Sequence, residues 1–450
     1  MRATPYRFLP EGFWMASIAS SLEPATTLKD NMRADVVVIG GGFTGLSAAI
    51  ALAERGKTVA LLERGRVGSG ASGYNCGQVA LDLGLDAAVT RSYLGEGRTR
   101  HYADFLKSAI GNVGTMVARS GADCDYRDNG NLTVAVHSSQ HEGLNRKQEL
   151  FAQYGLPATM KSRSELDDMG IPSFVTAAFH EGIGGTIHPA KFAHALAANA
   201  RELGVTIYEN SPAEDLNLGD IVVARTPTGA SVRADAAVIA TNAYSAELGL
   251  FASSYLPLSV SVIVTQRLTD EQRRRIAWHD AHGMHTQHKI IENIRLTPDG
   301  RVLIGTKRVQ SEWGNRHPDP QNPVIFEALR RVLRTRLPQL GDVEPEFGWT
   351  GRVALSTDTL PFFEHVAGRR NVVCGMAYGG HGIALSSYSG RTLARMLCGE
   401  NTEATDVFRT RKRLRIPGKP LRWLTGKVVH RSLETIDALV ALRVDQSTRA

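Results

Sequence analysis

The sequence predicts an α/β protein in which a parallel-sheet domain, assembled from separated stretches of chain, is joined by a mixed-sheet α+β domain. Three observations carry this prediction. An apolar strand, a glycine-rich turn and an Ala-rich helix follow one another after Ala34. The same order of strand, glycine turn and helix returns after Asn371. Between them lie hairpin and strand patterns with Arg-rich connections. A chain of 450 residues also exceeds what one ordinary core organises, so two domains are expected.

The elements follow in order. Residues Met1 to Ser20 lack the apolar stretch of a signal peptide, which makes the cytoplasm the expected location. Asp35-Val36-Val37-Val38-Ile39 reads as a buried parallel strand, and Leu46 to Arg55 as a helix closed by Gly56. Thr58 to Leu62 is a second strand ending at Glu63. Asn131 to Val136 is strand-like, and Gln140 to Tyr154 is polar and helix-forming. Pro189 to Leu203 reads as a helix, ended by Gly204 and followed by the strand Val205 to Tyr208. Ile221 to Thr226 and Ser231 to Arg233 flank Pro227-Thr228-Gly229 as a hairpin, and Ala236 to Thr241 reads as a further buried strand. Near the end come the strand Asn371 to Cys374 and the helix Ala384 to Leu397.

Composition narrows the function classes. The chain is 42% hydrophobic and 22% charged, as a globular protein is. It contains no run of about 18 apolar residues, which excludes a membrane-spanning helix. Cys76, Cys124, Cys374 and Cys398 form no C-x-x-C pair, so a disulfide framework, a zinc site or a dithiol redox motif is not expected. The net charge of +7 would suggest an anionic partner. Nine Lys and Arg, however, lie between Arg409 and Arg431, where no Asp or Glu occurs. The rest of the chain holds 43 basic against 45 acidic residues, so nucleic acid is not expected as a partner.

Two motifs carry the chemistry of the first half. Gly40-x-Gly42-x-x-Gly45 stands between strand and helix, with Phe43 and Thr44 at the helix start. The first glycine permits the tight turn, the second a close approach to a pyrophosphate, and the third close helix–strand packing. Helix N–H groups then meet the phosphates. Glu63 is placed to accept hydrogen bonds from ribose hydroxyls, with Arg64 beside it. Together these predict a Rossmann-like site for an ADP-containing cofactor. Soon after comes Gly68 to Gln78, in which Ser69, Ala71, Ser72, Asn75, Gly77 and Gln78 offer small side chains and backbone N–H groups. By itself such a loop reads as a flexible connection.

With these motifs the chain resembles the flavin-dependent amine oxidases of the D-amino-acid oxidase/glycine oxidase/sarcosine oxidase type, its nearest branch being γ-glutamylputrescine oxidoreductase-like proteins. Further motifs carry the resemblance in order. Ala240-Thr241-Asn242-Ala243-Tyr244 closes a strand, Trp349-Thr350-Gly351-Arg352 precedes Asp358 to Pro361, and Gly375 to Ile383 joins strand to helix. The resemblance implies noncovalent FAD in a discontinuous, glutathione-reductase-like domain of residues 30–95, 170–250 and 340–400. It implies a substrate domain from 96–169 and 251–339, leaving 401–450 as a basic C-terminal tail or helix. It brings Ala213 to the adenine, Thr241 and Asn242 to the phosphates, Gly351 to the flavin, and Gly379, Gly380, His381, Gly382 and Ile383 to the flavin's pyrimidine end. A helix N-terminus aimed there stabilises the anion formed on reduction. His381 adds a hydrogen bond or is a satisfied turn histidine. Trp349 and Tyr378 wall an amine pocket, with core packing the alternative for Trp349, and Arg352 meets a substrate carboxylate. Tyr74 and Cys76 depart from the Arg and Gly usual in the family. His188, before the helix at Pro189, reads as structural.

The activity implied is oxidation of a small-molecule amine, primary or secondary and of amino-acid or polyamine-conjugate type. Hydride passes to the flavin, water hydrolyses the imine, and oxygen accepts the electrons as hydrogen peroxide. Relatives that activate oxygen with a lysine carry it where this chain has Leu303. A dehydrogenase using a quinone or another acceptor, or a non-catalytic flavin-binding protein, therefore stays open. His279, His282, His285 and His288 recur every third residue but lack acidic or thiol partners at matching spacing, which favours an exposed polar stretch over a metal site. The basic tail, with Trp423, Leu424, Val428, Val429 and Leu433 interleaved, reads as a solvated run, peripheral membrane contact being the other reading. Oligomeric state is not legible.

Overall fold

The computed structural model describes residues 6–84, 86–311, 318–379, 381–400, 407–408, 413, 415–416 and 418–447. Eight strands build one sheet. Its order is β10 (Asp215–Leu218), β11 (Val222–Arg225), β12 (Ser231–Ile239), β2 (Met32–Ile39), β3 (Val59–Leu62) and β9 (Thr206–Tyr208), with β19 (Val372–Met376) beside β12 and β18 (Phe362–His365) beyond it. At the centre β2 runs parallel to β12 and to β3, with Val38 paired to Val238 on one side and to Leu61 on the other. Burial on both faces explains the continuous apolar run there. Ser231 to Arg233 and Ala236 to Ile239, expected in two separate strands, lie in the single strand β12, which ends before Ala240 and Thr241. Its start pairs with β11 as a hairpin, and β2 then offers a parallel edge from Met32 onward that keeps the chain extended.

Helices cover one face of this sheet. They are α2 (Phe43–Ala53), α5 (Glu96–Ser120), α8 (Pro189–Glu202) and α11 (Gly382–Leu397), and their inner side chains form one core with Val36, Val38 and Leu61. Phe43 meets Phe192 at 5.2 Å between ring centroids, and Phe105 meets Tyr388 at 5.1 Å. His188 caps α8 by accepting from the Lys191 N–H at Nδ1. α2 and α11 cross closely: a Cβ on Gly390 would stand 2.1 Å from Ser47 Oγ and 2.2 Å from Ala48 N.

A second sheet has nine strands, in the order β1 (Arg7–Phe8), β17 (Pro345–Ser356), β13 (Tyr255–Thr265), β16 (Val302–Ser311), β15 (Glu292–Leu296), β14 (Gly283–Thr286), β5 (Asn131–Ala135), β7 (Ala177–Glu181) and β6 (Ala158–Lys161). Here the sequence-based boundaries need correction. β7 and β17 fall in the stretches 170–250 and 340–400, expected in the cofactor domain, yet both pair in the nine-stranded sheet. α5 opens the stretch 96–169 but packs on the cofactor side. Each is placed by its partner strand or helix, which local sequence does not name.

The remaining elements are short or peripheral. β4 (Gln78–Val79) pairs with β8 (Gly185–Thr186) between the sheets, and α1 (Phe13–Ile18) and α3 (Ala71–Tyr74) lie close by. α4 (Ala87–Leu94) is capped by Asp86, while α7 (Arg163–Asp168) and α9 (Asp270–Ile276) open with capping boxes from Ser162 and Thr269. α6 (His141–Gln153) lies beside β5 to β7, and α10 (Pro323–Arg336) covers the far side of the sheet. The basic run continues as α12 (Lys419–Ser447), while 409–412, 414 and 417 lie outside the described residues. One side of α12 docks, with Asp437 accepting from the Lys289 and Ile290 N–H groups and Glu434 paired to Arg308. Leu424, Val428, Ile436 and Leu439 are exposed. No described helix is long and apolar enough to cross a membrane.

The histidine series is not an exposed stretch. His279 is exposed, but His282, His285 and His288 are buried because β14 carries the run into the sheet. Each finds a different partner: His180 for His282, Thr133 and Glu181 for His285, Thr286 for His288. No group of three or more metal-ligating side chains occurs among the described residues.

Two stability predictions follow from this packing. Gly390→Ala forces α2 and α11 apart and is expected to destabilise the fold by about 1–3 kcal/mol, read as a lower urea midpoint. Glu292 is fully buried and gripped by Lys307 at 2.7 Å and Arg336 at 2.8 Å. Burial alone would raise its carboxyl, but Arg336 and Lys307 outweigh that and lower it to about 2. A folded value below the unfolded one gives stability that is full above pH 4.5 and lost as pH falls toward 2. Glu292→Gln should cost about 3–5 kcal/mol at neutral pH and flatten the acid limb of the pH–stability curve.

Candidate functional site

The first glycine turn sits at the C-terminal end of β2. Gly40 has φ +109°, and a Cβ there would meet Ala240 O at 2.7 Å. A Cβ on Gly45 would stand 1.9 Å from Gly40 O, so the third glycine lets α2 press onto the turn. Gly42 precedes α2 and offers no side-chain cap, while Phe43 N–H donates to Ser72 Oγ at 3.0 Å. Glu63 accepts from Gly41 N–H at 2.7 Å and from Gly65 N–H at 2.9 Å, with Ser69 Oγ at 3.4 Å. Burial pushes its carboxyl above the usual range despite the Gly65 and Gly41 N–H groups. A turn walled by positions where any side chain would collide, at the start of a helix, fits a pyrophosphate with an acid at its ribose end.

The neighbouring motifs converge on this turn. Asn75 Nδ2 donates to Ala71 O and Ser72 O and its Oδ1 accepts from Gly77 N–H, locking the loop after α3. Gln78 donates to Met284 O and so ties that loop to the nine-stranded sheet. Thr241 Oγ1 lies 2.8 Å from Ser245 Oγ, and Asn242, at φ +41°, accepts from Ala377 N–H. Ala213 packs against the eight-stranded sheet just past β9. Arg64 stacks on Tyr244 and pairs with Glu247 at 3.1 Å. Gly379 has φ +63°, Gly382 and Ile383 open α11, and Gly380 lies outside the described residues.

Three side chains expected to meet substrate have protein partners of their own. Tyr378 is buried and shares a 2.8 Å hydrogen bond with Thr44 Oγ1, so it braces α2 against the strand–helix turn. Trp349 is fully buried, donates to Tyr74 O at 2.9 Å and stacks on Phe13, which is the core-packing role. Tyr74 also packs where a Cβ on Gly351 would fall. Arg352 is paired with Glu247 at 2.6 Å and lies over Tyr244. It thereby joins β17 to the turn after β12. His381, by contrast, precedes α11 without capping it and reaches Asp82 Oδ2 with Nε2 at 3.0 Å.

Residues 35–396 match the family described as FAD dependent oxidoreductase, DAO. The chain is 31% identical to the gamma-glutamylputrescine oxidoreductase of Escherichia coli K12 over 412 residues, covering 90% of this chain and 93% of that protein. The chain belongs to the DAO family of FAD dependent oxidoreductases. Other members are similar over comparable lengths. A glycine oxidase of Bacillus licheniformis is 24% identical over 85% of this chain and 98% of its own. The crystal structure of glycine oxidase from Geobacillus kaustophilus superimposes with a TM-score of 0.68 at 21% identity, covering 82% of this chain and 96% of that one.

This oxidoreductase therefore uses FAD, and the glycine turn, Glu63 and the two helix N-termini are the groups that would hold it. Sequence reading missed Arg295, fully buried, which donates to Gly77 O at 2.6 Å and Ile187 O at 2.9 Å and so supports the Asn75–Gly77 turn from the second sheet. It also missed Asp82, although an acid inside Leu81-Asp82-Leu83 is a visible signal. Gly40→Ala should lower FAD affinity about 5- to 150-fold, from about 1–3 kcal/mol of backbone strain. Flavin absorbance per chain and a fluorescence titration measure it.

Proposed function

We propose that this protein oxidises an amine, primary or secondary and of amino-acid or polyamine-conjugate type, to an imine that water hydrolyses. FAD, when bound, supplies the hydride acceptor. The observation that carries the reading is the convergence of the glycine turn, the start of α2 and the start of α11 on one end of the parallel strands, joined through Thr44 and Tyr378. The α11 N-terminus presents about half a positive charge, suited to an anion on the cofactor's ring system. The similarity to gamma-glutamylputrescine oxidoreductase and to glycine oxidases supports an amine as the donor.

Noncovalent attachment is supported by the cysteines nearest the site. Cys76 is intermediate in exposure, and burial of its thiol pushes its pKa up to about 12, so it stays protonated and unreactive. Cys374 is buried in β19. Oxygen is the proposed acceptor, giving hydrogen peroxide. A second acceptor has one observation in its favour. Leu303 is fully buried against Val262, Val264 and Trp349, so β16 brings no ammonium group to that place.

The test is an anaerobic panel of polyamine conjugates, N-methyl amino acids and D-amino acids, with absorbance followed at about 450 nm, where protein-bound flavin absorbs. At least one class should bleach the flavin, and aerobic turnover should then yield one peroxide per amine consumed. Bound FAD that no amine reduces would overturn the reading. Bleaching without peroxide would leave the amine reaction standing and replace oxygen with another acceptor.

A further inference from the structure

Five ionisable side chains, of which only His381 belongs to a glycine motif, meet beside the start of α11. Asp82 Oδ2 stands 3.0 Å from His381 Nε2 and 3.5 Å from Lys147 Nζ of α6. Glu181, at the end of β7, accepts from Leu81 N–H at 2.9 Å and from Thr133 Oγ1 at 3.0 Å, with His285 Nε2 of β14 also at 3.0 Å. Consecutive residues thus tie two carboxylates together: Leu81 is held by Glu181, and Asp82 holds His381. The side chains of Asp82 and His381 are 10% and 9% exposed, and that of Glu181 is fully buried.

Packing does not account for an acid here. Transfer of a carboxylate to the interior costs several kcal/mol, and Asp82 Oδ1 has no hydrogen-bond partner among the described residues. Burial opposes its charge, yet Lys147 and then His381 more than offset this and hold the carboxyl well below the usual range. An ionised carboxylate only accepts hydrogen bonds, so the imidazole nitrogen facing it carries a proton.

We propose that Asp82 is a positioning residue: seated by Lys147 and by the Glu181–His285 pair, it fixes His381 with Nε2–H turned inward and so sets the charge presented at the start of α11. The inference rests on the reading of α11 as the helix facing the cofactor. It also absorbs His285, the one member of the histidine series that shares in this network.

The test compares wild type, Asp82→Asn, His381→Gln and the double variant as full-length protein. Nitrogen-15 spectra of labelled histidine should show a proton on Nε2 of His381 in wild type and a tautomer mixture in Asp82→Asn. Anaerobic flavin reduction by the best amine should slow about tenfold in Asp82→Asn, the lower end of what losing a histidine's supporting hydrogen bond costs. The double variant should be no slower than His381→Gln alone, because Asp82 acts through that ring. Additive losses, or a His381 spectrum unchanged by Asp82→Asn, would overturn the proposal. Should Asp82→Asn fail to fold, the wild-type spectrum still decides, since a His381 ring without a proton on Nε2 overturns the proposal. If wild type binds no FAD the cofactor reading fails, while the histidine spectra still decide the role of Asp82.

Discussion

Two backbone contacts set the geometry on which everything else depends. Gly45 brings α2 onto the carbonyl of Gly40, and Gly390 brings α11 onto Ser47 and Ala48 of α2. Neither approach tolerates a Cβ. With both in place, helices that start some 340 residues apart in the chain begin at the same end of the parallel strands. Their N-terminal N–H groups then act together, and two partial positive charges face one region. The Thr44–Tyr378 hydrogen bond fixes the two starts against each other.

The nine-stranded sheet complements this end with charge. One of its faces is apolar and packs against α10, while the other carries Thr133, Glu181 and His285 toward the loop that holds Asp82. Arg295 reaches from the same sheet to the carbonyls of Gly77 and Ile187. Buried ions of this kind survive because each is held at several points, Glu181 by His285, Thr133 and the Leu81 N–H and Arg295 by backbone carbonyls. Their net charge nearly cancels, in keeping with the neutral body inferred from the distribution of Lys and Arg.

How much was legible in the sequence varied with the range of the interaction. The turn at Gly40–Gly45, the acid at Glu63 and the cap at His188 all act within about twenty residues of their partners, and spacing revealed them. Trp349 and Arg352 were also recognised as motif residues, but their directions were not. The partner of Arg352, Glu247, lies about a hundred positions away. The histidine series failed for a similar reason. Its period of three is real, but β14 pairs with β5 and β15, and those neighbours take the run into the interior.

The sequence by itself determined the cofactor class and the order of the local units, because a strand, a glycine turn and a helix form from short-range sterics and patterning. It also located the net charge in the segment after Arg409. Tertiary structure alone decided the sheet to which β7 and β17 belong, the inward roles of Tyr378 and Trp349, and the meeting of Asp82 with His381. Strand pairing and buried ion pairing join residues distant in sequence, and no local pattern records which partner burial will supply.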